Sequence, residues 1–92
     1  MPDQKNIAGL REQIDQIDEQ IIDLLSERLR LTRTIGVIKD KINKPVIDKD
    51  REVDLNARIE KICRQKGLDS SFISNLWQLI LHESYRVQDV KK

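Results

Sequence analysis

At 92 residues, with charged side chains at 36% and aromatic ones at 3%, the chain is one small domain whose interior has to be built from Leu and Ile. The formal net charge of +1, with acidic and basic residues interleaved, gives no basis for binding nucleic acid or a membrane surface. A lone cysteine, Cys63, excludes an intrachain disulfide and a cysteine metal cluster, and the lone His82 leaves little to build a metal site from.

Residues 1–6 read as a frayed leader containing Pro2, without the apolar core of a signal peptide. No stretch is long enough to cross a bilayer, so a soluble protein of the reduced cytoplasm is expected. From Ile7 the apolar residues recur in alternating steps of three and four: Leu10, Ile14, Ile17, Ile21, Leu24, then Arg28, Leu31, Ile35, Ile38 and Ile42. This heptad seam predicts a helix over 7–42, packed along its length against other helices. Such a helix is roughly 50 Å long, whereas a compact chain of this size has a radius of gyration of about 12 Å. The seam therefore outruns any globule the chain could form alone, and a second copy is the simplest cover.

Gly36 inside the helix marks a place where another helix or a ligand comes close. Asn43-Lys44-Pro45 ends it, because the residue before a proline is pushed out of the α region. Asp48 is suited to cap a second helix over 49–66, with Asp50 and Glu52 at its positive end and Gly67 as its stop. The apolar stripe of that helix is Leu55, Ile59, Ile62 and Cys63. Asp69 or Ser70 caps a third helix over 70–90, with Phe72, Ile73, Leu76, Trp77, Ile80 and Val87 apolar. The fold class is all-α: three helices per protomer, one very long.

The polar residues that interrupt these stripes carry the functional signal. Arg28 holds a seam position, and Lys39, eleven residues on, is rotated from it by only about 20° around the helix. Glu52 extends the Leu55/Ile59 stripe, and Ser84 and Gln88 continue the Leu76/Ile80 row. Singly, each has an ordinary role: a buried arginine sets register, a lysine reaches out to solvent, and Ser or Gln bonds across helices. Together, two cations, a carboxylate, a hydroxyl and an amide converge from three helices. A polar cavity for a small anionic ligand explains that set better than a structural network does. Arg11 lies about 25 Å from Arg28 and about 42 Å from Lys39 along the axis, so it cannot serve their pocket from its own chain. Two first helices packed antiparallel about a dyad near Ile22 would bring it opposite the Arg28–Lys39 stretch of the partner.

These residues resemble the all-helical chorismate mutases of the AroQ class. The matching pieces are Leu10-Arg11-Glu12 with Ile14 to Asp18, Glu27-Arg28, Gly36 with Lys39, Pro45-Val46 with Asp48, Arg51-Glu52, Gly67-Leu68-Asp69, and Ser84 through Gln88. The resemblance runs over nearly the whole chain without gaps. It implies an intertwined homodimer with two active sites and a unimolecular Claisen rearrangement of chorismate to prephenate, a step that needs no cofactor or metal. It further implies that Arg28 and the partner's Arg11 hold the two carboxylates of the substrate. Glu52, with Asp48 and Arg51, would take the ring hydroxyl, and Ser84 would donate to a carboxylate. Lys39 and Gln88 would hydrogen-bond the ether oxygen. Tyr85 stands beside this set and either trims the pocket or packs outward. Two other readings stay open from sequence: an isochorismate–pyruvate lyase on the same fold, and a helical dimerisation module without chemistry.

Overall fold

The computed structural model describes residues 2–90, which form three helices: α1 (Pro2–Lys41), α2 (Lys49–Lys66) and α3 (Ser70–Gln88). Among the described residues there is no strand, and no helix is long and apolar enough to cross a membrane. The all-α class expected from the heptads is what the chain adopts. It divides into two compact units, one up to Leu31 and one from Thr32 onward.

The start of α1 differs from the sequence reading. The helix begins at Pro2 rather than Ile7, so residues 2–6 of the expected leader are helical. Proline at a first helical position loses no intrahelical bond, and its fixed φ suits the turn. Asp3 places a negative charge at the positive helix end. Apolar periodicity cannot report this turn, because residues 2–6 contain no residue for a core to select.

The other helix ends are set by side-chain and backbone caps. Asn43 takes a left-handed conformation with φ 58°, its N–H reaches the carbonyl of Asp40 at 3.4 Å, and the N–H of Lys44 reaches that of Lys39 at 2.8 Å. This pair of bonds is a Schellman closure, with Asn in the place more often taken by Gly. α2 ends on the same pattern: Gly67 has φ 67°, its N–H bonds to Arg64, and the N–H of Leu68 bonds to Cys63 at 3.0 Å. At the N-termini, Asp48 Oδ1 accepts from the N–H of Arg51 at 3.0 Å. Asp69 Oδ1 accepts from Ser71 at 2.8 Å and Phe72 at 3.3 Å, which makes Asp69 the cap of α3. α3 ends at Gln88, short of residue 90.

In the unit up to Leu31, α1 covers none of its seam. Ile7, Leu10, Ile14, Ile17, Ile21, Leu24 and Leu31 are each 48–69% exposed. The unit from Thr32 holds the core, where α2 packs on α3 and buries Leu55, Cys63, Ile73 and Val87. Burial of an aliphatic side chain such as Leu55, Ile73 or Val87 contributes about 1.5–3 kcal/mol. Phe72, expected in the α3 stripe, is instead exposed. The close approach expected at Gly36 is present: a Cβ there would lie 2.6 Å from Cα of Gln88 and closer still to its carbonyl oxygen. No residue with a side chain fits that contact, so the glycine is what lets the end of α3 lie against α1.

Candidate active site

Gly36 and Lys39 stand one turn apart on α1, and the end of α3 that touches Gly36 also brings Gln88 to Lys39. Lys39 Nζ donates to Gln88 Oε1 at 3.1 Å and to the carbonyl of Val46 at 2.7 Å. Lys39 is half-buried and Gln88 buried. An ammonium only donates, so it fixes the amide oxygen of Gln88 toward itself and turns the NH2 group outward as the donating end. Of the three N–H bonds of Lys39, two are taken by these protein acceptors, leaving one for a ligand. The Asn43 cap carries the chain back over the last turn of α1, which is how Val46 comes within reach of Lys39. Sequence and local geometry thus produce two adjacent hydrogen-bond donors of different kinds, one charged and one neutral.

Across the α2–α3 packing, the hydroxyl of Tyr85 donates to Glu52 Oε1, and both residues are half-buried. Tyr85 neither packs outward nor merely trims space; it is bonded to one of the residues singled out from sequence. Asp48 is spent on its cap, where its carboxylate meets the backbone of Arg51, and both side chains are exposed. Ser84 is buried, and its hydroxyl donates to the carbonyl of Ile80 at 2.8 Å, one turn back on the same helix. Arg28, half-buried, and Arg11, exposed, both belong to α1 in the unit up to Leu31.

The second unit contains cavities of distinct chemistry. One, of about 580 Å³, lies along α2 and α3 and includes Asn56, Cys63, Ser74 and Trp77 in its lining, with Glu60 as its charged residue and no cation. That lining supplies no cation to hold an anionic ligand. Lys39 and Lys44 line two others, of about 190 and 310 Å³; Gly36 and Gln88 contribute to the first, and Asp48 to the second. Glu52 and Ser84 line neither of these two. Drug-sized ligands occupy pockets of about 300–1,000 Å³. The Lys39 cavities thus fall at or below the lower limit for a whole substrate.

Comparison with known proteins gives this cluster a family. Residues 10–89 match the sequence profile described as chorismate mutase type II. The chain belongs to that family. Among its relatives, the bifunctional chorismate mutase/prephenate dehydratase of Escherichia coli (strain K12) is 36% identical over 88 residues, 96% of this chain and 23% of that protein. The corresponding bifunctional protein of Buchnera aphidicola subsp. Schizaphis graminum is 33% identical over 88 residues, again 23% of its length. The chorismate mutase of Methanocaldococcus jannaschii is 29% identical over 84 residues, 91% of this chain and 85% of that protein. The chain thus spans about a quarter of the bifunctional relatives and most of the archaeal one.

Two features of this cluster have no signature in the apolar stripes: the Tyr85 hydroxyl and the Val46 carbonyl. Tyr85 lies one residue from the Ser84/Gln88 row, so its helical phase gave no signal. What could have found it is chemistry: a tyrosine on a packed helix has to place its O–H. The Val46 carbonyl has no signature in side-chain patterns at all, and only the left-handed turn at Asn43 exposes its role.

Proposed function

We propose that this chain catalyses the unimolecular rearrangement of chorismate to prephenate, as a homodimer whose two sites each borrow Arg11 from the partner subunit. The observation that carries the reading is the Lys39–Gln88 pair held at Gly36, in a chain that belongs to the chorismate mutase type II family. The rearrangement breaks a C–O bond, and negative charge builds on the ether oxygen as it does so. The remaining N–H of Lys39 and the NH2 group of Gln88 are donors suited to that oxygen. Because the charge is larger in the transition state than in the substrate, their contribution appears as rate and not merely as binding.

The carboxylates of the substrate are assigned to Arg28 and to Arg11 of the partner subunit, whose planar guanidinium forks fit them. Ser84 is assigned to a carboxylate as well, which requires its proton to turn from the Ile80 carbonyl. Glu52 is assigned to the ring hydroxyl, with Asp48 and Arg51 ordering the turn in which it stands. Holding both carboxylates fixes the flexible substrate in its chair-like reactive conformer before the barrier is climbed. Charge-assisted hydrogen bonds contribute roughly 1.5–3 kcal/mol each, and a few of them with this orientation reach the low end of enzymatic barrier lowering, about 8 kcal/mol. Residues 1–92 act as one protomer domain in this reading. It works in the cytoplasm with no cofactor, nucleic acid or membrane as partner.

The test is direct. Purified protein given chorismate produces prephenate with saturable kinetics, and given isochorismate it releases no pyruvate. Absence of prephenate overturns the reading, and pyruvate from isochorismate alone replaces it with the lyase.

A further inference from the structure

We propose that Tyr85 is a positioning residue that holds Glu52 for the ring hydroxyl of the substrate, an inference that rests on the chorismate reading above. Glu52 is fixed from two directions. Its backbone N–H bonds to the carbonyl of Asp48 at 3.1 Å, within the capped first turn of α2. Its carboxylate accepts the hydroxyl proton of Tyr85 from α3. A carboxylate offers two oxygens; Tyr85 occupies Oε1, which leaves Oε2 to accept from a ligand O–H. Without the phenol, a half-buried carboxylate turns toward water, and its productive rotamer is only one of several.

The kinetic signature follows from where the hydroxyl sits in the reaction. No bond to the hydroxyl-bearing carbon forms or breaks, so its contact with Glu52 is equally strong in substrate and transition state. Weakening a contact of that kind raises KM and leaves kcat nearly unchanged. Loss of one hydrogen bond to a charged group corresponds to about a tenfold rise in KM.

The experiment compares wild type, Tyr85→Phe, Glu52→Gln and the double variant with chorismate, and measures inhibition by a dicarboxylate transition-state mimic with and without the ring hydroxyl. Tyr85→Phe raises KM about tenfold with kcat within about twofold. The double variant is no worse than Glu52→Gln alone, and Tyr85→Phe weakens only the hydroxylated mimic. Equal weakening of both mimics, additive effects in the double variant, or unchanged KM overturns the proposal. Tyr85 is the sole tyrosine of the chain, so its phenol carbon gives an independent readout in the wild-type protein should the Phe variant fold poorly. That resonance moves on binding the hydroxylated mimic and stays still with the deoxy one; the same movement with both overturns the proposal. If wild type makes no prephenate, it is the functional reading that fails. Normal turnover with an indifferent Tyr85→Phe removes Tyr85 alone.

Discussion

In the proposed reaction Lys39 is the residue on which the chemistry would turn, because it is a donor already oriented by two protein acceptors. Replacing it with alanine removes charge stabilisation from the transition state and leaves the Gln88 amide without its anchor. Lys39→Ala is expected to lower kcat by about 10²–10³, the usual loss for a preorganised donor at a developing oxyanion. Steady-state kinetics check this, and near-normal turnover removes Lys39 from the mechanism. Gln88 donates at any pH, whereas a glutamate in its place donates only when protonated. Gln88→Glu is therefore expected to lose activity as pH rises through the carboxyl's pKa, which the neighbouring Lys39 ammonium pulls downward. A pH–rate profile for the variant as flat as wild type contradicts the ether-oxygen role. At this scale the residues that bear charge on apolar stripes were legible in the sequence, since each violates its helix's pattern. Tyr85 was not, because an aromatic residue on a packed helix violates nothing; only its partner across α2 and α3 gives it meaning.

At the scale of the elements, Gly36 connects packing to chemistry. Alanine there gains about 1 kcal/mol in helix propensity, but its methyl overlaps the backbone of Gln88, and overpacking of this kind costs about 1–3 kcal/mol. Gly36→Ala is expected to lower Tm and also to reduce kcat, because relief of the overlap moves Gln88 away from Lys39. Thermal melts and kinetics on the same sample check both halves, and a variant with unchanged kcat separates the glycine from the site. Asn43 makes a matching case in the loop. A residue with a Cβ in the left-handed region is strained by roughly 1–2 kcal/mol, with Asn less penalised than most. Asn43→Ala is expected to lower Tm and loosen Val46 from Lys39, while Asn43→Gly keeps both, as melts of the two variants test. The three helices, Asp48 and Asp69 as caps, and Gly67 as a stop were all legible, because each follows from local steric and hydrogen-bonding rules. The first turn of α1 was not, since Pro2 and Asp3 act through backbone and charge rather than apolar period.

For the whole molecule, the exposed seam is the dominant fact. Monomeric proteins rarely leave contiguous apolar patches larger than a few hundred Å² uncovered, yet α1 presents Ile and Leu at nearly every seam position to solvent. The Lys39 cavities are likewise small for a whole ligand, and Arg11 stands exposed. In the proposed homodimer a second copy packed on the seam would answer all three, covering the apolar face, enclosing the ligand and giving Arg11 a carboxylate to hold. A folded state stabilised by association has a Tm that rises with protein concentration, and a concentration-independent Tm is inconsistent with it. The heptads made the apolar seam itself legible at once. The composition of the proposed site was not, because in that reading it depends on side chains from a second molecule, whose register the apolar period of one chain does not fix.

Mixing two inactive variants tests the shared site most directly. Arg11→Ala chains and Lys39→Ala chains each lose activity as homodimers, whereas every heterodimer retains one site with both residues intact. After co-refolding in equal amounts, activity is predicted to return to about a quarter of wild type, since half the dimers are mixed and half their sites complete. A mixture no more active than its two components contradicts a site built from both subunits.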